Sequence, residues 1–394
     1  MIVDRKWVKQ NIGIDPVAKP SPATLLAFPE ATKKVAPEDL DREIIDFDSE
    51  APEGLAFLAS TTATNLSRFT EIPWPKALKP TPDAKARKGD DGRLPKADIL
   101  VATWTVDEGH ALSRVLTPDK DSARDYVHYT RNFDQISKGM VQHPPCPAVK
   151  SGRLGAYWTT KIGKKTVVVF KMESHMSQDT KTLPTPPPDK IPNLLVWKQI
   201  IEDVEPSLVI TTGTGGGIGK QFEVGDVIVS PEVNFFCKNA FKGLNDVSGS
   251  SKPANGKNFA TAKKLFKANS DRLPPANKRQ PTIATIAPGD LKHCIITTDF
   301  FGFDTSDNHF KLQGHGDLSE MGDAILGLLA GQAAKDGNAF PRFLAVRNVS
   351  DPQIKAEGTI RDQGHIASHI YKSFGRWSSV CSAIVCWALI AAEK

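Results

Sequence analysis

LVITTGTGGGIGKQFEVGDVIVS (Leu208–Ser230) decides how the chain folds. Its first half is a β-branched run, apolar at consecutive positions, as in a strand buried on both faces. The run stops at Gly213, Gly215, Gly216, Gly217 and Gly219, and a Gly-Asp turn leads into a second apolar run. A phosphate loop of the Walker type fails: Gly219-Lys220 is followed by Gln221, and Thr214 stands where the first glycine is required. A dinucleotide fingerprint fails too, because Ile218 takes the place of its third glycine. A flexible turn does not need five glycines. Bare backbone lets N–H groups and Cα atoms pack against a flat or anionic ligand, so the cluster is expected to line a site.

Outward from there, ADILVATWT, KKTVVVFKM, DVIVSPEV, ATIAP, HCIITTD and RFLAVRNVSD are expected strands. PNLLVWKQIIEDVEP, SEMGDAILGLLAGQAAK and the long HIASHIYKSFGRWSSVCSAIVCWALIAA are expected helices. Apolar strands alternating with helices imply an α/β fold with a sheet covered on both faces, whose ligands collect at the strands' carboxyl ends. Residues 1–94 differ. They hold many prolines, an acidic helix-like piece (PEDLDREIIDF) and the polar run KPTPDAKARKGDDGRLPK, and are taken as an N-terminal extension or arm with a linker. Residues 95–394 form the main domain.

The glycine cluster and its surroundings resemble the nucleoside phosphorylase superfamily, which includes purine and uridine phosphorylases and the methylthioadenosine/S-adenosylhomocysteine and AMP nucleosidases. The resemblance covers residues 97–394 and implies a three-layer phosphorylase-type fold, a central mixed twisted sheet flanked by helices. By that resemblance Thr214, Gly215 and Gly216 lie along the sugar. Glu108 in TWTVDEGHAL matches a glutamate that activates water; alone it would be taken as a helix N-terminal carboxylate. Phe301 in TTDFFGFD matches an aromatic that packs on the base, with Phe300 and Phe303 beside it. Glu320 and Met321 in LSEMGDAIL match a ribose-binding pair. The family's second glutamate is Gly322 here, which leaves Asp323 or Glu320 to take sugar hydroxyls, or changes sugar recognition, or removes activity. Asp351 in RNVSDPQI, supported by Arg347 and Ser350, matches the acid that protonates the leaving base. The implied activity is a nucleosidase using water on a purine nucleoside or nucleotide.

Three alternatives stay open. A carboxylate at Glu108 suits water better than phosphate, but a phosphate-dependent phosphorylase remains, with His175 a candidate phosphate ligand. A catalytically weakened nucleoside-binding module follows from Gly322. A nucleotide substrate follows from the basic insert (Arg124, Arg131, Lys138, Lys150, Arg153), although those charges are more simply a solvated face.

Composition narrows the rest. Fifty basic and 45 acidic residues are interspersed, a net charge of +5, so no nucleic-acid polymer is expected as partner. Five scattered cysteines without a CxxC pair suit a reducing compartment, and MIVDRKWVKQ has no apolar secretory core. The chain is expected to be cytoplasmic, away from membranes, because the apolar run SSVCSAIVCWALIAA is too short to span a bilayer. No cofactor or metal constellation is visible. By the family resemblance a homo-oligomer is expected.

Overall fold

The structure, a computed structural model, describes residues 1–12, 71–142, 146–176, 190–245, 247–269 and 277–394. The acidic piece PEDLDREIIDF lies outside the described residues.

Nine strands form the centre of one mixed sheet: β1 Ile99–Thr103, β2 Gly155–Ile162, β3 Lys165–Met172, β4 Leu208–Gly217, β5 Val227–Ser230, β6 Glu232–Phe235, β7 Ile295–Thr297, β8 Leu318–Glu320 and β9 Arg342–Asp351. β4 is the hub. It pairs in parallel with β1 and β9, and at its glycine end antiparallel with β8. The strands are apolar on both alternations because both faces are covered. Ile99, Val101, Leu208 and Ile210 join one core, while Leu100, Ala102 and Val209 join the other. The first core is closed by α2 Val106–Leu116 and α5 Ile360–Ile390, the second by α3 Pro192–Val204 and α4 Ala324–Lys335. These are the three layers expected from the sequence.

The described parts of the N-terminal extension pack on this unit. α1 Arg5–Asn11 lies against α5, Val3 bridges to Ile354, and Trp74 packs on Trp387, the rings tilted by 43° with centroids 4.8 Å apart. α5 is 31 residues long, enough to cross a membrane by length and composition, which corrects the expectation that it is too short. Its apolar window is 83% buried inside the fold, as a core helix.

Two local readings change. The glycines do not form a loop after the strand, because β4 runs straight through them to Gly217. Neighbouring elements come so close that side chains have no room. A Cβ at Gly213, where φ is +152°, would sit 2.4 Å from Glu108 Oε1, and one at Gly215 would sit 2.2 Å from Leu318 Cδ2. Gly215→Ala is therefore expected to cost about 1–3 kcal/mol, the usual penalty of overpacking. Denaturant melts would show it, and an unchanged midpoint would mean that β4 and β8 separate freely. The second change is in LSEMGDAIL. Its first residues are strand β8, Met321 and Gly322 turn the chain, and α4 starts only at Ala324.

Candidate active site

A cavity of about 130 Å³ opens where β1, β4, β7, β8 and β9 end. Thr214, Gly215 and Gly216 form one wall; Arg347, Ser350 and Asp351 arrive on the parallel neighbour β9. The register of β9 against β4 shifts between Val349 and Asp351, where Asp351 comes to lie opposite Gly216. This irregularity aims both Ser350 and Asp351 at the cavity.

Asp351 is buried, and burial pushes its carboxyl up to about 6 despite the Ser350 hydroxyl. Ser350 Oγ lies 2.7 Å from Asp351 Oδ1 and 3.2 Å from Gly215 O. That hydroxyl serves either protonation state: it donates to the carboxylate, or accepts from the acid while donating to Gly215. Asp351 Oδ2 has no protein donor among the described residues. It lies beside bare Gly216, where a Cβ would approach it to 3.0 Å.

Glu108 sits in the first turn of α2, capped by Thr105 in a reciprocal capping box. Oε2 accepts from Thr103 Oγ1 (3.0 Å), Trp104 N (3.1 Å) and Thr105 N (2.9 Å). Oε1 reaches across to β4 and accepts from Thr214 N and Thr214 Oγ1, both at 2.7 Å. Glu108 is thus both the helix-capping carboxylate and a cavity wall. Its anchor at Gly213 and that of Asp351 at Gly216 are three residues apart, roughly 10 Å along a strand.

Beneath the cavity lies a buried charge cluster. Asp323 takes Arg347 Nε at 2.8 Å and Nη2 at 2.6 Å, and Glu320 Oε2 takes Nη2 at 3.1 Å. Burial and the neighbouring Asp323 push Glu320 up to about 7. Burial opposes the charge on Arg347, but Asp323 and Glu320 outweigh it and hold the guanidinium protonated. The guanidinium also lies 4.6 Å from the centre of the Trp104 ring.

Of the residues expected from sequence, Glu108, Thr214, Gly215, Gly216, Phe301, Glu320, Met321, Arg347, Ser350 and Asp351 line this cavity, and His175 does too. Asp323 does not. Both its oxygens are turned onto Arg347, so it is not placed to take sugar hydroxyls. Phe300 and Phe303 are core. None of the five basic residues of the insert lines the cavity. Arg124, Arg131 and Arg153 are paired with Asp121, Asp203 and Glu173. Sequence reasoning missed Trp104, Thr298, Ser319, Ser368 and Tyr371. Trp104 follows β1 directly, a position where a ligand contact was to be sought; Ser368 and Tyr371, three apart on α5, carry no such signal. Among the described residues no group of three or more His, Cys, Asp or Glu is placed to hold a metal ion.

A family model described as "Phosphorylase superfamily" matches residues 138–386, more than half of the chain. No curated protein matches the sequence. Among solved structures, the chain is similar to a 5′-methylthioadenosine/S-adenosylhomocysteine nucleosidase from Neisseria meningitidis, at 14% identity and a TM-score of 0.42, over 75% of this chain and 100% of the other. It is also similar to the futalosine hydrolase of Helicobacter pylori, at 11% identity and a TM-score of 0.42, over 74% and 96%. A putative nucleosidase of the first kind from Borrelia burgdorferi gives 15% and 0.44, over 74% and 98%.

Proposed function

Because the chain belongs to the phosphorylase superfamily, we propose that it is a nucleosidase that cleaves the N-glycosidic bond of a purine nucleoside or nucleotide with water. The observation that carries this reading is the pairing of two unlike carboxyl groups in one cavity. Asp351 is buried and raised in pKa, with one oxygen lacking a protein donor among the described residues; Glu108 is held by five donors at the nucleophile end. Asp351 gives its proton to the leaving base as the bond to the anomeric carbon breaks and the base takes the bonding electrons. The sugar becomes oxocarbenium-like. Water adds to the anomeric carbon from the opposite side, and its proton passes to Glu108. Thr214, whose hydroxyl donates to Glu108 and lines the cavity, rotates to let that water in. A positioned acid of this kind is worth about 10²–10⁴-fold.

Water is favoured over phosphate by the cations available. Arg347 is held by Glu320 and Asp323, which among the described residues leaves His175 as the other basic group on the cavity wall. Base release is expected from a purine nucleoside at a rate unchanged by added phosphate. A strict phosphate requirement would replace water by phosphate and remove the role of Glu108. The five donors on Glu108 favour a second reading, a nucleoside-binding module without turnover. It predicts saturable binding of nucleosides with no base released from any of them.

A further inference from the structure

We propose that α2 and α5 together form a second binding site, separate from the active-site cavity, that takes an oxyanion of the phosphate kind between Arg114 and Arg376. No nucleoside is needed for it, so it stands apart from the nucleosidase reading. α5 packs along α2. Beside their contact an open hollow of about 330 Å³ is bounded by His110, Ser113 and Arg114 of α2, by the turn at 119–125, and by Arg376 of α5. None of its described wall residues lines the active-site cavity. His110 and Arg114 are four apart, so one face of α2 carries both. Glu108, on the cavity wall, is six residues before Arg114, roughly 9 Å away along the helix axis.

The hollow gathers positive charge that the protein leaves unanswered. Arg376 is partly buried and makes no hydrogen bond or ion pair with any of the described residues. What lies beside it is basic. Burial and then Arg376 push Arg114 down to about 10, and the same two causes hold His110 below the usual imidazole value. Cations brought together and half-desolvated repel, and an anion between them removes that cost. The acids of the turn do not supply it, because they hold the turn itself. Asp121 Oδ1 accepts from Ala123 N at 2.8 Å and Arg124 N at 3.2 Å, and Oδ2 faces Arg124 Nη2 at 3.4 Å. Asp125 Oδ2 accepts from Asp121 N at 2.7 Å. Asp119 is exposed, where water and salt screen its charge.

Two guanidinium groups on facing helices suit one tetrahedral oxyanion. Each presents a planar fork that can donate two parallel N–H bonds, and a phosphate dianion matches their two charges. Neutral His110 adds one ring N–H. A single carboxylate, with one charge and two oxygens, would leave one of the forks unmatched. Lys120 takes no part: its Nζ lies over the Trp158 ring, 4.9 Å from the centre.

The test is calorimetric titration of the full chain at low ionic strength with inorganic phosphate, pyrophosphate and glycerol 3-phosphate, in wild type, Arg376→Gln and His175→Ala. Saturable binding is expected in wild type and His175→Ala, and binding weaker by roughly 10- to 150-fold in Arg376→Gln, the worth of a hydrogen bond to a charged group. Within that pattern, tighter binding of glycerol 3-phosphate assigns the site to phosphate esters, and tighter binding of the inorganic ions assigns it to free phosphate. No saturable binding in wild type overturns the inference. Binding that survives Arg376→Gln overturns it too, and its loss in His175→Ala would then put the ion in the active-site cavity. Denaturant melts guard against misreading a damaged fold. Without phosphate, Arg376→Gln is expected to be no less stable than wild type, because a repulsion has gone. Phosphate should raise the wild-type midpoint more than that of the variant. A variant less stable without phosphate would make Arg376 a structural residue and count against the site.

Discussion

Asp351→Asn is expected to lower base release by at least 100-fold while making the protein more stable in alkali. The activity loss follows from the missing proton, since an amide cannot protonate the leaving base. The stability gain follows from burial. The folded state holds the Asp351 proton up to a pH of about 6, against 3.8 for an ordinary aspartate. The stabilisation tied to that proton is full below 3.8 and is lost as pH rises through 6. Above 6 the native state carries a buried carboxylate at a cost of roughly 3 kcal/mol. Asparagine removes that cost and keeps an oxygen for Ser350. The difference between variant and wild type should therefore be near zero at pH 4 and roughly 3 kcal/mol in favour of the variant at pH 8. Chemical denaturation at the two values measures it. An equal difference at both would mean that Asp351 keeps its ordinary pKa. The same titration predicts that kcat/KM of the wild type falls as pH rises through about 6.

Arg347→Met should cost about 3–5 kcal/mol near pH 8, the usual result of removing one partner from a buried ion pair. Here one cation serves two acids, Glu320 and Asp323, both buried. Without it both must be neutral or stand uncompensated. The loss should shrink as pH falls, because protonated acids need no cation, and denaturant melts across pH would follow it. Adding Asp323→Leu should recover part of the stability, since an apolar group tolerates the site better than an orphan carboxylate. A double variant no better than Arg347→Met would place the damage elsewhere, in the packing of Trp104.

The central sheet was legible because its strands are apolar at consecutive positions, a pattern that only two covered faces permit. Asp351 was legible through the resemblance of RNVSD to a family strand ending in Arg-x-x-Ser-Asp. The purpose of the glycines was not. What crowds Gly213 and Gly215 is Glu108 and Leu318, each about a hundred residues away in sequence and adjacent only after pairing. Asp323 misled for the opposite reason. It neighbours Met321 in sequence, yet the turn at 321–322 sends it under the wall to Arg347. Trp104 fell within the expected strand ADILVATWT with nothing to mark it as a site residue; it packs on Trp197 and also lines the cavity. Ser368 and Tyr371 face the cavity from a helix whose pattern marks only the side that meets the sheet.

The cavity draws its walls from Trp104 through to Tyr371, with β4 bringing the two ends together. That span bears on how the chain matures. Long-range pairings are slow to form, because loop entropy must be overcome before any contact rewards it. During synthesis β1, β3 and β4 can meet early, but the pocket lacks Arg347, Ser350 and Asp351 until β9 has left the ribosome, and Ser368 and Tyr371 until the start of α5 follows. A ligand that needs the complete pocket can therefore act only on the finished molecule: it cannot template the folding of this protein, only slow its undoing.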